Sequence, residues 1–299
     1  MAAKEEKENK SVLVTVILLV ICIVWTLPTI GLLVTSFRHR DVVSNTGWWT
    51  VIREPNLTTE NYRQVLIGKD YTYVDSKGVE NTARTENLSR AILNSIAVTI
   101  PAVVIPILIA AFAAYGFAWV AFPGRKIFFT IIVALLVVPL QIALIPILRD
   151  YLKLQLTGTF LAIWLAHTGF GLPLAIYLLF NYVSTIPRSI LESAFIDGYT
   201  HFWIFIYLIL PLSVPALASF AIFQFVWVWN DLLVAMVFLG TKQEVAVITQ
   251  RLLSIIGTRG QDWHLLTAGA FVSMILPLTI FFALQRFFVR GLLAGSIKG

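Results

Sequence analysis

Six stretches of this chain carry no Asp, Glu, Lys or Arg: residues 11–37, 91–124, 127–148, 154–187, 198–230 and 265–285. Each exceeds the ~20 apolar residues that cross a hydrocarbon core of about 30 Å. Strands of a membrane barrel would give segments of about 10 residues with alternating polarity, and these runs do not alternate. Backbone groups in lipid must be satisfied within the segment, so the runs are predicted to be helices. The expectation is an all-α integral membrane protein with about six crossings, near residues 12–37, 89–122, 127–149, 158–183, 203–240 and 264–289. Only 13% of the 299 residues are charged, against about 25% in ordinary soluble domains. Some runs are longer than one crossing needs, and Pro101 and Pro106 in the second predict tilt or kinks.

Other classes fall away on composition. Cys22 is the only cysteine, so no disulfide forms within the chain. His39, His167, His201 and His264 lack metal-ligand spacing. The first run, flanked by Lys10, resembles a signal peptide but is too long and lacks a small-x-small cleavage site, so it reads as a retained first helix. The net charge of +6 fits basic residues flanking membrane helices better than nucleic-acid binding. No Gly-x-x-x-x-Gly-Lys-Ser/Thr phosphate loop occurs, and Gly68-Lys69 is followed by Asp70 without the upstream glycine. This chain is therefore not expected to hydrolyse ATP.

The largest connection, residues 38–90, holds eight Lys/Arg and seven Asp/Glu and is soluble in character. Thr59-Glu60 followed by Tyr62, Val65 and Leu66 predicts a short helix there. Trp48 and Trp49 read as interface anchors, with substrate stacking as the alternative. Orientation by charge is close to undecided. With both termini inside, nine basic residues (Lys4, Lys7, Lys10, Arg125, Lys126, Arg188, Arg286, Arg290, Lys298) face the cytoplasm, and the other thirteen do not.

The stretch 186–215 mixes charge with apolar residues between two long helices. Ser189 and Glu192 fit a capping box. Pro187 punctuates the entry, and Gly198 can supply the positive φ that ends a helix. The product is a short amphipathic helix, a sharp turn, then the next crossing. Glu192 and Asp197 stand in water or against a partner, and a solvated surface helix remains the alternative.

These residues carry a resemblance. Glu192-Ser193-Ala194, Gly198, Leu208 and Leu210-Pro211 lie at the offsets of the EAA loop of ABC importer permeases. Asp197 before the glycine resembles the sugar-importing group. Ser193, Leu208 and Tyr199 depart mildly from the usual Ala, Ile and Ala. The likeness extends through residues 27–38, Asn94-Ser95, Ala114-Tyr115, residues 122–125, Trp229-Asn230-Asp231 and residues 285–299. The chain thus resembles the second permease of maltose-type carbohydrate importers. Gly47-Trp48-Trp49 and Asp262-Trp263-His264 look nearest to permeases for α-glucosides or glucosylglycerol.

The resemblance implies a type I ABC importer permease fold, one transmembrane permease domain over residues 1–299. Residues 38–90 would be extracytoplasmic, residues 184–205 would form the cytoplasmic coupling loop, and both termini would be cytoplasmic in a bacterial inner membrane. Implied partners are an ABC ATPase dimer that binds ATP and magnesium, a second permease, an extracytoplasmic solute-binding protein, lipid and a sugar; no cofactor is implied for this chain and no nucleic acid. The ATPase-coupling residues would be Leu191, Glu192, Ser193, Ala194, Phe195, Asp197, Gly198, Leu210 and Pro211. Leu191, Ala194 and Phe195 would offer its apolar surface, and Glu192 and Asp197 charge-assisted bonds.

A solute passage needs polar groups in the membrane interior, where they face a cavity or the bundle. Gln141, Gln224, Asn230 and Asp231 are candidates, with His167 behind them and Trp227 and Trp229 as aromatic neighbours. Helix packing or a structural hydrogen bond is the alternative for each. Pro139 and Pro146 flank Gln141 and favour local unwinding. Ala110, Ala114 and Ala118 at i, i+4 spacing mark close helix packing. A secondary transporter, a membrane-embedded enzyme and a permease for another solute are the competing functions. No internal repeat with buried acids and no catalytic constellation supports the first two.

Overall fold

A computed structural model describes residues 2–68, 70–74, 80–84, 87–256 and 262–294. The expectations placed on residues 295–299 lie outside them. The chain forms two compact units, Met1–Ser89 with Leu252–Ser273, and Arg90–Arg251 with Met274–Gly299.

In the first unit, α1 (Ala2–Ser36) carries the first apolar run. The connection that follows is folded. It holds α2 (Arg40–Asn45), a 3₁₀ turn (Trp48–Ile52) and α3 (Glu60–Ile67), and then a two-stranded antiparallel ribbon of β1 (Asp70–Val74) and β2 (Glu80–Arg84). The ribbon, with an isolated bridge between Arg38 and Leu57, adds extended structure to the expected all-helical content. α3 follows Thr59 at its N-cap, as the sequence predicts, and is closed by Gly68 at φ +70°. Asn61 is buried and its amide donates to the carbonyls of Ser36 (2.9 Å) and Arg38 (2.8 Å), which locks α3 to the end of α1.

The crossings of the second unit build on α4 (Leu88–Trp119), α5 (Arg125–Leu135), α6 (Leu140–Lys153) and α7 (Phe160–Val183). Next come the short α8 (Arg188–Ile196), α9 (His201–Ile204), a π-helical turn (Phe205–Ile209), α10 (Leu210–Leu212) and α11 (Val214–Asn230). The described chain closes with α12 (Leu233–Phe238), α13 (Ile248–Ile256) and α14 (Trp263–Ala294). Among the described residues, four helices are long and apolar enough to cross a membrane: Leu13–Ser36 within α1, α4, α7 and Trp263–Gln285 within α14.

Two crossings expected as single helices are broken. The helix expected at 127–149 divides into α5 and α6 with a bend of 101°. Pro139 sits in extended backbone immediately before α6 and cannot donate an amide to the preceding turn. The helix expected at 203–240 bends by 70° at Ser213, between Pro211 and Pro215, and stops at Asn230. Counting each bent pair as one span gives the expected six.

By contrast α4 runs unbroken through Pro101 and Pro106. Each proline frees the carbonyl four residues earlier. The indole of Trp164 on α7 donates to Ala97 at 3.0 Å, and the amide of Gln224 on α11 donates to Ala102 at 3.2 Å. Two side chains thus replace the two missing backbone donors, as an apolar environment requires. Ala110 and Ala114 are fully buried against α7 residues such as Ala175 and Leu179, the close packing their spacing predicts.

Candidate functional site

The elbow between α7 and α11 is built from its two ends. Pro187, at φ −59° and ψ 133°, starts α8, and no side chain caps it. The expected capping box does not form. The helix begins one residue before Ser189, so Ser189 lies inside the first turn, where its carbonyl accepts from the Ser193 hydroxyl (2.9 Å). Glu192 instead meets Arg188 at 3.0 Å, an exposed i, i+4 pair.

The far end is the turn that Gly198 predicts. Its φ is +85°. The amide of Gly198 donates to Phe195 and that of Tyr199 to Ala194, both at 3.0 Å. This double bond pattern with a left-handed residue at the exit is a Schellman cap. A Cβ at Gly198 would meet nothing within 4 Å, so the demand for glycine is purely one of backbone conformation.

The faces of α8 are sharply divided. Leu191 is 2% exposed and packs in one core with Val183, Ile186, Ile204 and Phe205, with Ala194 at its edge. Leu191 is therefore the anchor of the elbow and not part of its outer surface, contrary to the sequence expectation. Glu192, Ser193, Phe195, Asp197 and Gly198 face out. Ile196, which the sequence reading did not single out, is the most exposed apolar residue of the elbow at 85%. Its signal was a register one: it lies five residues from Leu191, roughly 140° around the helix from it. Leu210 is half-buried and Pro211 exposed, in the bent crossing rather than the elbow. His201 receives the elbow on the other side, with its Nδ1 2.8 Å from the Tyr115 hydroxyl and its ring 4.9 Å from that of Phe195.

The second candidate lies where α7 meets α11. His167 is fully buried, with Nε2 3.8 Å from Asp231 Oδ2 and the Trp227 ring edge-on at 5.3 Å. The Gln224 amide also reaches the His167 carbonyl at 3.4 Å. The structure thus brings together His167, Gln224, Trp227 and Asp231. It does not bring in the others. Gln141 is exposed near the start of α6, Trp229 stacks on Phe225 at 5.7 Å, and the Asn230 amide donates to the Val226 carbonyl at 2.8 Å. Asp231 Oδ2 accepts from the Ala235 amide at 3.1 Å, so it also holds the first turn of α12.

A cavity of about 650 Å³ opens beside this cluster. Its walls come from the break between α5 and α6, from α7 at Gly169, Phe170 and Gly171, and from Phe223, Gln224 and Trp227 of α11. Gly171 leaves room for Gln224, since a Cβ there would come within 2.6–2.9 Å of its amide. Tyr151 and Asp150 of α6, with Gln224, add polar groups to a mostly apolar wall. The sequence reading missed the α7 and α6 lining; the paired glycines before Pro173 were the available signal.

The family model "Binding-protein-dependent transport system inner membrane component" matches residues 84–293. The "osmoprotective compounds uptake permease protein GgtD" of Synechocystis sp. is 54% identical, over 94% of this chain and 90% of its own length. The "alpha-glucoside transport system permease protein AglG" of Rhizobium meliloti is 43% identical, over 94% and 95% respectively. A chain of a bacterial ABC transporter that imports the polysaccharide alginate superposes with a TM-score of 0.71 at 20% identity, over 95% of this chain and 98% of that one. At that identity the likeness speaks for the fold alone.

Proposed function

Because the chain belongs to the family of binding-protein-dependent transport system inner membrane components, we propose that it is the membrane-spanning permease subunit through which an ABC importer passes a sugar or sugar-like compatible solute. The class of solute follows from its relatives, one a permease for osmoprotective compounds and another for α-glucosides. α-Glucosides and glucosylglycerol are the substrates we assign. The elbow faces the cytoplasm and seats in a separate ATPase dimer, which binds ATP and magnesium. A second permease and an extracytoplasmic solute-binding protein complete the assembly, and both termini of this chain are cytoplasmic.

The observation that carries this reading is the elbow itself. Leu191 fixes it to the core while Phe195, Ile196, Glu192 and Asp197 stand outside. An apolar residue as exposed as Ile196, flanked by acids on a helix held at both ends, supports a protein partner. ATP binding in that partner then shifts the permease between inward-facing and outward-facing states through contacts that differ between the two. The cavity between α6, α7 and α11 supplies a solute path. Trp227 offers a flat apolar face there, and Gln224, Tyr151 and Asp150 offer hydrogen-bonding groups.

The deciding experiment replaces Gly198. Valine at φ +85° is strained, although space for its side chain is open. Gly198→Val is expected to insert and assemble normally but to lose uptake and solute-stimulated ATPase activity. Gly198→Asn, which tolerates the left-handed region, is expected to keep most of both. Normal uptake by the valine variant would remove the elbow from the mechanism.

A further inference from the structure

We propose that the 3₁₀ turn Trp48–Ile52 is a re-entrant wedge that dips back beside the first crossing and rests on lipid at the headgroup–acyl boundary, held there by the buried side chain of Arg38.

The chain leaves α1 at Ser36 and returns to it. Trp48 packs on Gly31, so closely that a Cβ at Gly31 would lie 2.8 Å from the indole nitrogen. Gly31 lies five residues before the end of α1, which is about 7.5 Å back along the helix axis at ~1.5 Å per residue. The uncharged run 11–37 would be ~40 Å long as a helix, close to the full bilayer including its interfaces. The hydrocarbon core of about 30 Å leaves about 5 Å of interface at each end. Trp48 is therefore at the boundary of the acyl region and not in bulk water. This is the depth that tryptophan favours.

The next residues turn outward. Trp49 is 62% exposed and Ile52 84%. They continue the apolar surface of α1, whose most apolar 18-residue window has no residue buried within the protein. A second glycine makes this possible, because a Cβ at Gly47 would strike the Trp49 ring. The choice of lipid over a protein partner rests on that depth and on that continuity with α1.

The turn does not depend on lipid for its shape. Arg38 is 1% exposed, and its guanidinium donates to the Gly47 carbonyl (2.8 Å) and to the hydroxyls of Thr46 (2.8 Å) and Thr50 (2.7 Å). All three acceptors lie at or beside the turn. The fixed fork of a guanidinium suits such a set, and a lysine could not span it. Arg38 is thus a positioning residue that aims Trp49 and Ile52.

The test uses nitroxide labels on the complete transporter in vesicles of phosphatidylethanolamine and phosphatidylglycerol. Cys22, the only native cysteine, is replaced by Ala, and a label is placed at Ile52→Cys or, as a water-side control, at Glu54→Cys. The expected result is that dissolved oxygen relaxes the label at 52 at least threefold more than a water-soluble nickel chelate does, with the reverse at 54. Nickel access at 52 equal to that at 54 would overturn the proposal, and so would protection from both agents, which indicates a protein cover. Adding Arg38→Gln is expected to raise nickel access at 52 by at least twofold. If that variant fails to assemble, Thr46→Val with Thr50→Val removes two of the three acceptors and is expected to produce the same change. An unchanged label in an assembled variant would overturn the role of Arg38.

Discussion

The short helix α8 and the junction of α7 with α11 solve opposite problems. α8 is an exposed helix that needs an apolar anchor, and one residue, Leu191, supplies it. The α7–α11 junction is an apolar interior that must satisfy polar backbone groups, and one side chain, Gln224, reaches the carbonyl that Pro106 leaves free. In the first region hydrophobicity carries position and polarity is left for a partner. In the second, polarity carries position and hydrophobicity is merely the surroundings. A residue type therefore does not announce its role. The glutamine suggested by its polarity as a solute ligand is first of all a structural donor, and the leucine suggested as a docking contact is an anchor.

The largest effect expected from this contrast is at Leu191. Leu191→Ala removes a side chain from a packed core, and such truncations cost about 2–5 kcal/mol. Thermal unfolding of the solubilised subunit is expected to show it clearly. Ile196→Ala, five residues away and 85% exposed, is expected to leave unfolding unchanged while weakening ATPase binding. Equal destabilisation by the two substitutions would abolish the distinction between anchor and docking face.

The next effect is at Gln224. Gln224→Leu leaves the Ala102 carbonyl without its donor, and a buried unsatisfied group costs about 1–3 kcal/mol. A double-mutant cycle isolates the cause. Pro106→Ala returns a backbone amide to Ala102, so Gln224→Leu is expected to cost measurably less in that background. Full additivity of the two substitutions would mean that the hydrogen bond to Ala102 is not what Gln224 contributes, and would leave it a role in the solute path alone.

The same pair explains what was legible in the sequence. Charge-free runs located the four long apolar helices and both bent pairs, because the bilayer imposes length and polarity locally. The left-handed turn at Gly198 and the helix Glu60–Ile67 between Thr59 and Gly68 were legible for the same reason: each depends on residues within one turn. The breaks were legible only in part: Pro139 and Pro146 pointed to unwinding beside Gln141, and nothing pointed to the bend at Ser213. Prolines occur in α4, which stays continuous, and beside the bends at residues 136–139 and at Ser213. In α4 each freed carbonyl is met by a side chain from elsewhere in the chain. Those donors come from 67 and 122 residues away. No local pattern at Pro101 or Pro106 carries that information. The burial of Leu191 escaped for a related reason. An amphipathic helix of nine residues has an apolar face on each flank, and only tertiary packing decides which one turns inward.

The smallest effect is expected at the ion pair on the outer face of α8. Arg188 and Glu192 lie 3.0 Å apart, but their side chains are 82% and 60% exposed. Exposed i, i+4 pairs contribute only about 0.3–0.5 kcal/mol, and salt screens them further. Arg188→Ala is therefore expected to leave thermal unfolding almost unchanged at physiological ionic strength. Its consequence lies with the partner, because it frees Glu192 from an intrachain cation and leaves the carboxylate to the ATPase alone. Solute-stimulated ATPase activity is then expected to be retained or raised in Arg188→Ala and lowered in Glu192→Gln. A parallel loss of activity in both variants, with unfolding unchanged, would make the pair itself the coupling element and the division between anchor and partner-facing polarity too simple.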